Sequence, residues 1–171
     1  RAAANANDFS PARLAEIAEN ERRWSWVEVD LGAIRNNIAV AKRRLKPGCR
    51  LLAVVKADAY GHGSVEVAKT ALSAGASYLA VATVQEGVKL REAGITAPVL
   101  MLSEPPEAAI PLLLNYNIMP SVYTAEFAVA YGEAADAHGL RAPFHLALNT
   151  GMNRIGVRFD EAVEFVRQIS F

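Results

Sequence analysis

From position 30 onward, apolar and polar residues fall into two alternating rhythms. Behind Asp30, a side chain suited to capping a helix, Leu31, Ile34, Ile38 and Ala41 recur at helical spacing and predict one buried stripe. Short apolar runs bounded by Gly, Pro or Asn follow at 51–56, 78–82, 98–102, 118–122 and 143–149, and read as strands. Helices are expected between them at 64–73, at 84–93 closed by Gly94, near 106–114, and at 124–137 ending in His138-Gly139. A loop at 150–156 and a helix from about Phe159 complete the series. Earlier, alternation over 24–29 predicts a strand. Ser10-Pro11 with Leu14, Ile17 and Ala18 predicts a short helix to about Arg22, after an aperiodic Ala/Asn-rich lead over 1–9.

This order is a βα repeat, and its strands are apolar nearly throughout, as parallel strands covered on both faces should be. Two architectures are built this way: the open doubly wound sheet and the closed eightfold barrel. Spacing alone does not separate them. Leaving aside the first strand, five units run to Asn149, too few to close eight, so a barrel would be partial. The expected class is α/β, a partial (β/α)8 TIM-type barrel over 24–171 behind an N-terminal extension over 1–23. Because the chain starts at Arg1 and stops at Phe171 without a turn or cap signal, it reads as part of a longer protein.

Charge narrows the partners. Eighteen acidic and eighteen basic residues give zero formal charge, so nothing draws the chain to nucleic acid or to an anionic membrane, and a small uncharged or zwitterionic partner fits better. The longest apolar runs, such as 53–55 and 110–114, are far below the roughly 20 residues of a membrane span. The N-terminus lacks the order of a secretory signal, and Cys49 is the single cysteine, which makes a cytoplasmic setting the default expectation.

The densest chemical signal is Ala53-Val54-Val55-Lys56-Ala57-Asp58-Ala59-Tyr60-Gly61-His62-Gly63. A lysine closing an apolar strand places its amine where barrel and doubly wound enzymes assemble their sites, and partial burial is expected to favour the neutral amine that forms an imine with a carbonyl. Gly61 and Gly63 let the backbone approach a ligand, and Tyr60 offers a hydroxyl to an anion. Taken alone, such a lysine reads first as a cation reaching into water beside a glycine turn, since buried lysines are rare; the full motif reverses this.

The whole motif closely resembles the pyridoxal-phosphate attachment signature of alanine racemases. The segment Trp26-Val27-Glu28-Val29-Asp30-Leu31 with Ile34-Arg35-Asn36-Asn37 is similar to that family's opening, and His145-Leu146 through Thr150-Gly151-Met152-Asn153-Arg154-Ile155-Gly156 is a third match. The resemblance implies a pyridoxal 5'-phosphate enzyme that interconverts L- and D-alanine, the D-isomer supplying cell-wall peptidoglycan. It also implies a first domain that is an eight-stranded barrel, a second that is largely β, and a homodimer. By motif position, Lys56 carries the cofactor and acts as one of two acid/base groups. Tyr60 contacts the phosphate, and Arg154 binds the substrate carboxylate beside the cofactor. Apart from the resemblance, Leu102 closes a strand facing the expected cofactor pocket and is the candidate to touch the ring, the other reading being an ordinary core leucine. The second base, a tyrosine from the partner subunit's β domain, lies beyond Phe171, so this chain alone is expected to be inactive.

The third motif departs from the family at two positions. Ala147 stands where a lysine is usual, often carbamylated and paired with the residue matching Arg154, and Asn149 replaces a common aspartate. A buried guanidinium without its partner is unfavourable by about 3–5 kcal/mol, which leads to the expectation that an anion or ordered water held with Asn149 compensates Arg154; the other reading is that Arg154 neutralises a surface carboxylate. These changes leave serine or broad specificity open beside alanine, and a non-enzymatic cofactor-binding barrel is the other alternative. His62 reads equally as steadying the lysine loop or as a turn histidine facing solvent, His138 is expected to favour a helix C-terminus, and His145 lacks a partner at metal-ligand spacing.

Overall fold

The computed structural model describes residues 27–169. The helix expected before Arg22 and the part of the first strand at Trp24 and Trp26 lie outside them. Helix α1 (Leu31–Arg44) begins at Asp30, whose Oδ1 accepts the Ala33 N–H at 3.0 Å. Strand β1 (Leu52–Val54) leads through Lys56 to α2 (Ser64–Ser73), and β2 (Tyr78–Val81) leads to α3 (Val84–Glu92). Next come β3 (Val99–Met101), a 3-10 turn at Glu107–Ala109, α4 (Ile110–Asn115), β4 (Ile118–Val122) and α5 (Ala125–Ala137). The last elements are β5 (His145–Leu146), β6 (Leu148–Asn149), β7 (Val157–Arg158) and α6 (Ala162–Ile169).

Strands β1 to β5 form one sheet in sequence order, parallel at every pairing. Each helix packs on the next, from α1 on α2 through α5 on α6. A doubly wound sheet reverses its strand order at a switch point, whereas a barrel wall advances monotonically behind one ring of helices. The observed wall is the second kind. The core between sheet and helices is apolar, with Leu79, Val99, Ile118, Leu90 and Leu113 removed from solvent.

Two residues show how tightly the helices seat. A Cβ built on Gly87 in α3 would lie 2.6 Å from Ile118 Cδ1, so a larger residue there would require the Ile118 side chain to move. Arg91, also on α3, donates to four backbone carbonyls: Ile95 at 2.8 Å, Ala97 at 2.7 Å, Tyr116 at 2.8 Å and Asn117 at 2.8 Å. These carbonyls belong to the connections entering β3 and β4, and one guanidinium holds both. Burial pushes the Arg91 pKa down from its ordinary value.

Three expectations require correction. Of the strand expected over 24–29, the described residues 27–29 are not in strand: Val27 is 78% exposed, and no strand among the described residues pairs with them. The segment 143–149 is two strands, because Ala147 donates its N–H to Val122 O and accepts from Val157 N–H, each at 2.9 Å. The backbone changes partners there, and β6 pairs with β7, a strand that periodicity did not reveal in two residues. The helix near 106–114 starts as a 3-10 turn, with Pro111 in the first turn of the α-helix that follows.

Candidate active site

The C-terminal ends of the parallel strands open on a cavity of about 570 Å³. Lys56 enters it after β1, Leu102 and Ser103 after β3, Ser121 from β4, and Ala147 with Asn149 from the β5–β6 bend. Arg154 and Met152 line it from the next loop. Lys56 is half-buried, and Arg154 is exposed. The sheet therefore gathers three of the residues singled out in the sequence: Lys56, Leu102 and Arg154. Tyr60 is not among them. It is 62% exposed and does not line the cavity.

The lysine does not simply close a strand. After it, Ala57, Asp58, Ala59 and Tyr60 have φ of 50°, 52°, 54° and 56°, one turn of left-handed helix built from residues with side chains. Each such residue is disfavoured by roughly 1–2 kcal/mol, so the turn requires external support. Part of it is local: Ala59 N–H reaches Val55 O, and Gly63 N–H reaches Asp58 O, both at 2.9 Å. His62 adds Nδ1 at 2.9 Å from Ala59 O, which ties it to the loop. Gly61 and Gly63, with φ of 85° and 86°, return the chain to α2.

The rest of the support comes from α3. Glu86 Oε1 accepts the Ala57 N–H at 2.7 Å, while its Oε2 accepts Ala82 N–H at 2.7 Å and Thr83 N–H at 3.2 Å. Thr83 Oγ1 in turn accepts the Glu86 N–H, completing a capping box. One turn further along, Lys89 Nζ donates to Asp58 Oδ1 at 2.9 Å, and the same oxygen accepts the Ser64 N–H at 2.9 Å. The Lys89 hydrogen bond, followed by that from Ser64, brings the Asp58 pKa from 3.8 to about 2. Neither Glu86 nor Lys89 was singled out in the sequence. The Thr83-x-x-Glu86 spacing announces the capping box, but the bond to Ala57 is a tertiary event 29 residues away.

Around Arg154 the backbone is shaped by Asn149. Its Oδ1 accepts N–H groups of Gly151 and Asn153, both at 3.1 Å, and its Nδ2 donates to Asn153 Oδ1 at 3.0 Å. A Cβ on Gly156, whose φ is 104°, would fall 2.8 Å from Asn149 N and from Leu148 C, so glycine alone lets the loop return beside β6. The expectation of a buried Arg154 is corrected here. Arg154 is exposed and makes no ion pair among the described residues. The Asn149 side chain bonds within its own loop.

Among the described residues no group of three or more His, Cys, Asp or Glu could hold a metal ion, and no helix is long and apolar enough to cross a membrane. A neighbouring hollow of about 440 Å³ is lined by Thr83, Ser103, Glu104 and Leu112 among others. Glu104 there accepts from Tyr123 N–H, Thr124 N–H and Thr124 Oγ1–H, which fixes the start of α5. His138 likewise stays structural, its Nδ1 2.8 Å from Ala134 O at the end of α5.

The family model described as the alanine racemase N-terminal domain matches residues 29–171. An alanine racemase of Nostoc sp. is 44% identical over 149 residues, 85% of this chain and 38% of that protein. Alanine racemase 1 of Bacillus subtilis is 41% identical over 150 residues, 86% and 37% of the two chains. Among solved structures, the Bacillus anthracis alanine racemase with bound L-Ala-P aligns at a TM-score of 0.77 and 39% identity, covering 86% of this chain and 38% of that one. The Clostridium difficile alanine racemase complex with cycloserine aligns at 0.74 and 38% identity, covering 81% and 38%. The chain thus spans well under half the length of the relatives it matches. With its five-stranded parallel wall and the match over residues 29–171, the chain belongs to the alanine racemase family and forms part of that family's barrel domain.

Proposed function

We propose that this chain is the cofactor-bearing portion, over 24–171, of a pyridoxal-phosphate-dependent racemase that interconverts L- and D-alanine, acting as a homodimer in its full-length form. The observation that carries the reading is the meeting of Lys56 and Arg154 in one cavity at the C-terminal ends of a barrel wall. The cavity, about 570 Å³, lies within the roughly 300–1,000 Å³ typical of small-molecule sites. Its one lysine suits a carbonyl group, and its arginine suits a carboxylate. Tyr60 belongs to the same turn as Lys56 and is the proposed phosphate contact, although it stands outside the cavity lining.

When bound, pyridoxal phosphate supplies a carbonyl for amine exchange and an electron sink for the charge left after the α-proton departs. Lys56 Nζ would hold the cofactor and, as a free amine, would take or return a proton on one face. Arg154 orients the substrate through its carboxylate, and Leu102 packs on the ring. Racemisation needs a second base on the opposite face. That role falls outside the residues gathered in this cavity.

The test begins with pyridoxal phosphate and borohydride. Reduction followed by peptide mapping is expected to leave the label on Lys56. In the full-length protein, L-alanine is expected to racemise, and Lys56→Ala to abolish turnover. Labelling of another lysine, or full activity in Lys56→Ala, would overturn the proposal. Serine assayed beside alanine tests the substrate range, since Ala147 and Asn149 line the same cavity. A binding barrel that does no chemistry would take up cofactor and racemise neither. Arg154, positioned for a substrate carboxylate, favours the enzyme.

A further inference from the structure

We infer that Glu86 and Lys89, one turn apart on α3, are positioning residues for Lys56. The inference rests on the proposed role of Lys56 as the cofactor-bearing amine. Four successive side-chain-bearing residues after that lysine occupy the left-handed region, a conformation the local sequence does not favour. Helix α3 grips this turn at two adjacent residues. Glu86 takes the N–H of Ala57, the first peptide after the lysine, at 2.7 Å. Lys89 takes the carboxylate of Asp58, the next side chain, at 2.9 Å.

The grip also sets where the lysine stands. The Glu86 carboxylate is fixed on its other side by the N–H groups of Ala82 and Thr83, at the end of β2. It therefore ties the peptide following Lys56 to the neighbouring strand, and Ala82 lines the same cavity as Lys56. Asp58 passes the second tie onward, because the oxygen that meets Lys89 also accepts the first N–H of α2. Without these two side chains the turn can relax toward right-handed φ, and the direction in which Lys56 leaves the backbone changes with it. Neither residue lines the cavity, so their action is through the turn and not on substrate.

An amide at position 86 can serve either Ala57 or the end of β2 with its single oxygen, but not both, and its NH2 would face a donor. Lys89→Met removes the ammonium and keeps the length, while Lys89→Arg restores a donor to Asp58. The experiment uses the protein with its entire native chain, with Lys69→Met as a control that removes only an exposed pair with Glu66 on α2. Cofactor attachment is followed by absorbance and by borohydride labelling, the amide exchange of residues 57–60 is measured without cofactor, and kcat and KM are measured with it.

Glu86→Gln and Lys89→Met are each expected to slow attachment to Lys56 by about tenfold, the scale of one hydrogen bond to a charged group. Both should speed amide exchange in the turn and lower kcat while leaving the alanine KM within about twofold, as loss of an interaction specific to the reacting lysine does. Lys89→Arg should recover most of the rate, and Lys69→Met should match wild type. If wild type labels at Lys56 and the variants label as fast, the clamp is refuted while the functional reading stands. A loss that merely follows the fraction of unfolded protein also refutes it, and wild type that takes no label at Lys56 overturns both.

Discussion

Asn149 holds Asn153 twice, accepting its backbone N–H at 3.1 Å and donating to its side-chain oxygen at 3.0 Å. Asn153 sits at a φ of 56°, a conformation that asparagine tolerates better than most residues, and Arg154 follows it directly. The backbone that carries Arg154, the proposed carboxylate contact, is thus held by the Asn149 side chain. Asn149→Ala is expected to free the amides of Gly151 and Asn153, at about 1 kcal/mol for each exposed bond, read as faster hydrogen exchange at those two positions. Asn149→Asp keeps both backbone acceptors, and rotation of the Asn153 amide supplies the third contact. It should protect the loop nearly as well as asparagine, and equal exchange in the Ala and Asp variants would contradict this account.

Gly156 closes the same loop from the other end. An alanine there must hold φ near 104° and place its methyl carbon against the backbone of Leu148 and Asn149, where nothing can swing aside. Gly156→Ala is expected to destabilise the fold by about 2–3 kcal/mol and to detach β7 from β6. Denaturant unfolding gives the first quantity. Exchange of the Val157 N–H, which bonds to Ala147 O, gives the second. An unchanged midpoint would mean that the loop has another way to turn.

How far the sequence foretold this arrangement depends on the range of the forces involved. The helix at 64–73 and the strand at 118–122 emerged with the bounds that periodicity assigned, because each is dictated by local spacing and flanking turn residues. The gathering of Lys56, Leu102 and Arg154 followed from the βα order, which sends every strand end to one rim. The left-handed turn was invisible. Ala57, Asp58, Ala59 and Tyr60 have no local preference for positive φ, and their support arrives from Glu86 and Lys89, 29 and 31 residues downstream. The break at Ala147 was hidden for a similar reason, since the alternation of 143–149 continues unbroken while the hydrogen-bond partners change. Whether Arg154 is buried or exposed depends on what surrounds it in space, which no spacing records.

Arg91 provides a test of the opposite rim. Its guanidinium serves four carbonyls in two connections, so truncation leaves acceptors around a partly desolvated space without a donor. Arg91→Ala is expected to destabilise by about 3 kcal/mol, the scale for losing charge-assisted bonds to partly buried groups. Lysine carries one compact ammonium and lacks the planar fork, so Arg91→Lys should recover less than half of that loss. Cofactor labelling at Lys56 should persist in both variants under conditions where they remain folded. Thermal or denaturant unfolding checks the magnitude, and selective loss of labelling in the folded variants would place Arg91 in the site instead of at its base.

The two-base requirement makes a separate statement about the 171-residue chain by itself. The residues in the described cavity include one amine able to exchange the α-proton, and no tyrosine lines it. Racemisation by the chain alone is therefore expected to be no faster than that of its Lys56→Ala version, even when Lys56 accepts the borohydride label. Chiral chromatography of alanine after prolonged incubation checks this outcome. Turnover above the variant's would show that a group within this chain, or in a second copy of it, performs the part of the opposing base.

Acid titration reports directly on the lysine turn. Asp58 is held at about 2 against an ordinary 3.8, first by the hydrogen bond from Lys89 and then by that from the Ser64 N–H. A depressed carboxylate pKa contributes stability that is fully present above pH 3.8 and is lost as the pH falls toward about 2. Exchange protection of residues 57–60 and of Ser64 should therefore fall through that window before the sheet itself opens. In Lys89→Met the larger cause is gone and the Ser64 bond remains, so the Asp58 carboxyl is expected to titrate between the wild-type value and 3.8. Lys89→Arg should keep it low. Carbon-detected NMR of the Asp58 carboxyl resolves the three proteins, and a wild-type value already at 3.8 would show that Lys89 and Asp58 do not hold each other in solution.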